Sequence, residues 1–97
     1  MTSANSLDFS ARLQRIHEQV HTVLDGSVVV MTLADGNYFE LNPVGARIWA
    51  ELEQPVTVPE LVDRLLADYD VDGETCRLEV EAWLLKMHDL GLVLSTA

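Results

Sequence analysis

The chain has 97 residues, of which 48% are apolar, and it carries a formal net charge of −10 with a pI near 4.4. This length suits one domain, the apolar content excludes a disordered class, and no apolar run approaches the roughly 18–20 residues that span a bilayer. Nucleic-acid binding needs the opposite charge, because Lys and Arg contacts to phosphate supply most of that affinity. We therefore predict no nucleic-acid partner and no membrane partner.

The acidic charge is concentrated in the second half of the chain. Residues 51–97 carry a net charge of −8, whereas residues 1–50 carry −2. Such a surface either keeps the protein in solution or attracts a cationic peptide or protein.

We predict a flexible N-terminal tail over residues 1–11, followed by one domain over residues 12–97. The first residues show neither a basic patch nor an apolar segment, so we expect no secretory signal. The single Cys76 cannot form an internal disulfide, which favours a cytoplasmic location. Because Glu74 and Glu79 lie close to it in sequence, we expect an unreactive, structural thiol.

The segment His17-Glu18-Gln19-Val20-His21 matches the H-E-x-x-H pattern of zinc peptidases. On a helix the two histidines would share a face, whereas on a strand they would lie about 13 Å apart. The surrounding apolar residues fit either a helical period or the alternation of a strand that ends near Leu24. Neither His88 nor Cys76 has ligand spacing. We predict no metal, no cofactor and no catalytic residue, and keep a zinc peptidase as the weakest alternative.

Two Asp-Gly pairs, Asp25-Gly26 and Asp35-Gly36, predict tight hairpin turns. They delimit a strand that ends near Leu24, a second strand over about Val28–Leu33, and a third over about Asn37–Leu41. The result is an antiparallel meander in which the first and third strands are edges. The middle strand is almost continuously apolar, which predicts cover on both faces. Helices can cover one face; the N-terminal segment, a ligand or a second copy in a homodimer can cover the other.

Three helices follow. Asn42 and Pro43 predict the start of the first helix, and the run from Thr57 to Glu60 is a capping box for the second. The pair Asp72-Gly73 opens the third helix, and Gly91 ends it. The predicted fold class is α+β, a three-stranded antiparallel meander followed by three helices, like a winged helix-turn-helix. This fold alone does not name a function.

With these elements placed, the chain resembles the PqqD-like family, the recognition elements for the leaders of ribosomally made peptide natural products. The resemblance rests on the hairpin Val28–Leu41, the strand-to-helix junction from Tyr38 to Trp49, and three later stretches. These stretches are Thr57–Val62, Tyr69–Asp72 and Trp83–Val93. Within this family, the chain resembles the stand-alone members of lasso-peptide gene clusters.

The resemblance implies a non-catalytic chaperone that binds the leader of a precursor peptide and presents it to maturation enzymes such as a leader protease or a cyclase. The leader would add as a strand to the third strand and lie against the third helix. The main-chain contacts would come from Asn37, Tyr38, Phe39, Glu40 and Leu41. The groove side chains would be Arg77, Val80, Glu81, Leu84, Leu85 and His88.

The acidic residues of the third helix favour a leader that carries Lys or Arg. They are Glu74, Glu79, Glu81 and Asp89. A winged-helix DNA-binding regulator is the alternative function, and this excess of acids over one Arg and one Lys disfavours it.

Overall fold

A computed structural model describes residues 7–25 and 27–96, which form two antiparallel sheets and three helices. The strands are β1 (Arg12–Arg15), β2 (Gln19–Leu24), β3 (Ser27–Thr32), β4 (Tyr38–Leu41) and β5 (Val93–Thr96). The helices are α1 (Pro43–Glu51), α2 (Val58–Leu66) and α3 (Gly73–Asp89). The predicted α+β class, a meander followed by three helices, is confirmed. Among the described residues, no helix is long and apolar enough to cross a membrane.

The meander has the strand order β2-β3-β4, with Val30 of β3 opposite His21 and Phe39. In the first turn Asp25 adopts a φ of 50°, while Gly26 lies outside the described residues. In the second turn the Asp35 carboxylate accepts hydrogen bonds from the Thr32 hydroxyl and from Asn37. Gly36 has a φ of 69°, a left-handed conformation that glycine adopts without strain.

A second sheet, which the sequence analysis did not predict, pairs β1 with β5. Leu13 is fully buried and also bonds to Val56, with 2.7 Å between Leu13 N and Val56 O. Just before β1, Leu7 is buried and Phe9 packs against the core. Of the predicted tail, residues 1–6 lie outside the described residues, while these two later residues contact the domain.

The three helices begin where the sequence predicts, each at a side chain that accepts a hydrogen bond from a free amide. Asn42 Oδ1 accepts from Gly45 N at 2.8 Å, and the Asp72 carboxylate accepts from Thr75 N at 3.1 Å. At α2, Thr57 Oγ1 accepts from the N–H of Glu60, whose carboxylate accepts from Thr57 N at 2.9 Å. The predicted capping box is therefore present in both directions.

Thr57→Ala is expected to lower the free energy of unfolding by about 1 kcal/mol at pH 7. Hydrogen bonds from the Thr57 N–H and hydroxyl hold the pKa of Glu60 below its ordinary 4.5. The pKa of Glu60 is lower in the folded than in the unfolded state, so the stabilisation by these hydrogen bonds is fully present above pH 4.5. It is lost as the pH falls through the folded-state pKa. The difference between variant and wild type in urea titrations should therefore narrow in acid.

The matched control for this prediction is Thr75→Ala, because Thr75 also lies in the first turn of a helix, and its hydroxyl makes only a long, 3.4 Å bond to the capping Asp72. Its unfolding free energy should stay the same or rise slightly, since Ala has the higher helix propensity. An equal loss of stability in the two variants would contradict the role of the capping box.

Among the described residues, the helices cover only one face of the meander. On that inner face Val28, Val30 and Thr32 are buried. On the outer face Val29 and Met31 remain partly exposed. The predicted cover on both faces of β3 is thus not provided by the described chain, because the N-terminal segment packs beside β5 instead.

Candidate functional site

The free edge of β4 is the first component of the site. Within the described residues β4 pairs only with β3, and the ladder begins where Thr32 N–H donates to the Asn37 carbonyl at 3.0 Å. Antiparallel ladders repeat such bonded pairs at every second residue. The main-chain groups of Phe39 therefore face β3, whereas those of Tyr38 and Glu40 point to the open edge. The edge thus offers two N–H donors and two carbonyl acceptors.

The second component is a cavity of about 220 Å³ beside the C-terminal end of β4. It opens between the start of α1, the flank of α3 and the segment that joins α2 to α3. The lining is mainly apolar, with the Glu79 carboxylate as its one acid. An apolar concave site with few polar groups is the usual form of a binding pocket. The residues that α3 contributes are Cys76, Glu79, Val80 and Trp83.

Gly45 brings α1 close to α3 at this cavity. A Cβ atom at position 45 would lie 2.9 Å from Trp83 Nε1 and 3.3 Å from Asn42 Oδ1. Both distances are too short for a side chain to fit without displacing the indole or the helix cap. The junction Asn42-Pro43-Val44-Gly45 therefore ends β4, starts α1 and shapes the wall of the cavity.

The two flanks of α3 face different parts of the molecule. At about 100° per residue, Glu79 and Trp83 share one flank, which lines the cavity. Arg77 and Glu81 lie on the opposite flank, in a cleft lined by Phe9 and α2 residues.

His88 also lies on that opposite flank. Its Nδ1 is 2.9 Å from the Val93 carbonyl oxygen, so its ring links α3 to β5. The structure thus brings Val80 to the cavity, but not Arg77, Glu81 or His88.

Burial separates the remaining residues of the predicted leader site. Leu84 is 0% exposed and Leu41 4%, so both side chains belong to the core. Leu85 is 42% exposed and points to solvent on the outer side of α3. The Leu84 side chain has no accessible surface in this structure, and its contact with a peptide stays a prediction. The sequence analysis did not place Glu79 and Trp83 at this cavity, although their spacing from Cys76 is that of one helix face.

Arg77 forms ion pairs with two of the acids of α3 and so offsets one of their two negative charges. Its guanidinium bonds to Glu74 and, at 3.0 Å, to Glu81. These carboxylates, Glu74 first, raise the pKa of Arg77. Glu79 has no ion pair among the described residues, which leaves it as the acid that faces the cavity.

Cys76 is a protonated thiol at neutral pH. Burial raises its pKa, and the nearby Glu79 raises it further. Because the thiolate is the nucleophilic form, this cysteine supplies no activated nucleophile to the cavity.

The H-E-x-x-H segment does not form a helix. His17 and Glu18 lie in a bend, and His21 lies in β2 with its ring centroid 6.4 Å from that of Trp49. Within residues 7–25 and 27–96, no group of three potential ligands is placed to hold a metal ion. The helical arrangement that a zinc peptidase requires is therefore not formed.

The family model described as "Coenzyme PQQ synthesis protein D (PqqD)" matches residues 27–93, more than half of the chain. The chain belongs to the PqqD family. The resemblance predicted from the strand-to-helix junction is thereby confirmed. No curated protein sequence matches this PqqD-family chain.

Two solved structures share its fold. One, described as "TbiB1 in Complex with the TbiA(beta) Leader Peptide", is 32% identical with a TM-score of 0.79, covering 87% of this chain and 98% of that one. The other, "Lasso peptide synthetase B1 complexed with the leader peptide", is 20% identical with a TM-score of 0.76, covering 87% and 99%. The first is above 30% identical over most of both chains, while the second supports the fold alone.

Proposed function

We propose that this PqqD-family chain binds the leader of a ribosomally made precursor peptide by adding it as a strand to β4. The observation that carries the proposal is the open edge of β4, where Tyr38 and Glu40 present their main-chain groups beside an apolar cavity. Strand addition gives affinity through the main chain and selectivity through adjacent side-chain pockets. The 32% identical relative, described in complex with a leader peptide, supports the same role.

The register of β4 determines how the guest strand would lie. Its bonded pairs would form at Tyr38 and Glu40, so its side chains at those positions would point to the outer face of the sheet. Side chains opposite Phe39 and Leu41 would point to the helices, because alternate residues of a strand face opposite sides. The expected leader therefore has apolar residues two positions apart, and one further apolar side chain would enter the cavity next to Asn42.

We propose that the role is non-catalytic and that the bound leader is presented to maturation enzymes, a leader protease or a cyclase, in lasso-peptide biosynthesis. The cavity lining of apolar side chains, one carboxylate and a protonated thiol is suited to holding a side chain. A cytoplasmic location stays a prediction from the lone cysteine.

Titration of the cognate leader, identified by a search of the neighbouring genes for a short precursor, tests the proposal. Isothermal calorimetry should show saturable binding of one leader per chain. A peptide of the same composition in scrambled order should bind far more weakly, because the apolar spacing would be lost. Absence of saturable binding to the intact leader would overturn the proposal.

For a leader with a Lys or Arg near the cavity, Glu79→Lys is expected to weaken binding about tenfold at low salt. Replacing an attractive charge by a repulsive one changes the binding free energy by roughly 1.4 kcal/mol, which is a factor of ten. The effect should shrink at high salt, since exposed charges are screened. Calorimetric titrations at two salt concentrations measure the loss of affinity and its dependence on salt.

Glu53→Lys is the matched control, because it makes the same charge change at an exposed position beyond the other end of α1. It should alter leader affinity less than twofold. Equal losses in the two variants would show that only the net charge of the chain matters, and not the carboxylate at the cavity.

A further inference from the structure

The outer face of the meander is mainly apolar, and no described residue covers it. Antiparallel sheets with one solvated face normally carry polar residues there. Here the apolar residues Val20, Leu24, Val29, Met31, Leu33 and Tyr38 outnumber the polar ones, which are Thr22, Ser27 and Glu40. Four of the six apolar side chains are between 49% and 72% exposed. Contiguous apolar patches of this kind on a monomer mark interaction surfaces.

The charges around this face are all of one sign. Between residues 16 and 46, which include the whole meander, the sequence has four acids and neither Lys nor Arg. Glu40 lies on the outer face, and Glu18, Asp25 and Asp35 lie at the strand ends and turns. A partner for this face therefore needs an apolar centre and a rim of Lys and Arg, since complementary charges favour association.

A second copy of the chain does not meet that requirement. Two outer faces placed together would bring eight carboxylates around one contact with no Lys or Arg from either meander to neutralise them. Like charges across an interface oppose association. A different protein with a basic rim is favoured over a homodimer.

We propose that the outer face is the docking surface for a maturation enzyme whose contact surface is apolar with a basic rim. The identity of the partner rests on the proposed function. A leader added to β4 would extend this same face by one strand, with its side chains opposite Tyr38 and Glu40 pointing outward. The enzyme would therefore contact the meander and the leader together, and the leader would strengthen its binding.

Val20→Lys and Val23→Lys form the test pair. Both residues lie on β2, the strand farthest from β4, and both are exposed, but Val20 lies on the outer face and Val23 opposite Val28 on the inner one. The affinity of each variant is measured for the leader. Its affinity for the leader protease and for the cyclase that act on the same precursor is measured with the leader present and absent. Sedimentation of the wild type reports self-association.

We expect Val20→Lys to weaken binding of one of these enzymes at least tenfold and Val23→Lys less than twofold, with leader affinity unchanged in both. Omitting the leader should also weaken enzyme binding. Equal effects of the two variants, or no binding of either enzyme to wild-type chain that binds leader, would overturn the docking surface. A wild-type dimer that Val20→Lys dissociates would overturn it in favour of a second copy. Failure of the leader titration alone would overturn the proposed function instead.

Discussion

Glu40→Pro is expected to weaken leader binding by roughly 30-fold, about 2 kcal/mol, while the chain stays folded. The N–H of Glu40 points to the open edge of β4, so proline there removes no bond to β3. It removes a donor to the guest strand, worth about 1 kcal/mol, and its ring blocks close approach of the guest main chain. Proline is tolerated at such edge positions. Calorimetry with the leader measures the loss, and circular dichroism checks the fold.

Two controls accompany this variant. Glu40→Thr removes the same charge but keeps the N–H, so leader affinity should change less than threefold. Val23→Pro makes the equivalent change on the free edge of β2. The hydrogen bond from Leu33 N–H to the Glu18 carbonyl fixes which residues of β2 bond to β3, and the Val23 N–H points away from β3. Equal weakening by Val23→Pro and Glu40→Pro, or full binding by folded Glu40→Pro, would contradict strand addition at β4.

Leu84→Ala is expected to lower the free energy of unfolding by about 2–5 kcal/mol, because its fully buried side chain would leave a cavity in the core. For a domain of this size the midpoint of thermal unfolding should fall by at least about 8 °C. Leader affinity measured well below that midpoint should change less than threefold, since the side chain does not reach the surface. Thermal denaturation and calorimetry of the same sample provide both values.

Leu85→Ala is the control, with the same substitution one residue along α3. Leu85 is exposed, so its loss should change stability by no more than about 0.5 kcal/mol. A Leu84→Ala variant that keeps its stability but loses leader binding would show that Leu84 is a groove residue, as the sequence analysis predicted.

Local signals in the sequence predicted the order of the elements well. Two Asp-Gly turns located the meander, and Asn42, Thr57 and Asp72 located the starts of the three helices. These predictions succeed because a cap or a tight turn satisfies main-chain groups within a few residues of itself. The strand-to-helix junction was also distinctive enough to indicate the family.

The pairing of β1 with β5 could not be predicted in the same way. Arg12 lies opposite Thr96, and Leu13 also bonds to Val56, so the partners are far apart in the chain. The four residues of β1 are too few to show a clear alternation. Nothing near them in sequence indicates which distant strand they meet.

In the candidate site, too, local sequence signals predicted some features, while others depend on contacts between distant parts of the chain. The sequence by itself determined that β4 is an edge strand leading into α1, because the turns and the Asn42-Pro43 cap are local. Only the tertiary structure decided that the Glu79 and Trp83 flank of α3, and not the Arg77 and Glu81 flank, faces the end of β4. The buried face of α3 lies between these two flanks, so both flanks fit the helical spacing equally well. The rotation of α3 about its own axis is determined by how that buried face packs against α1 and α2.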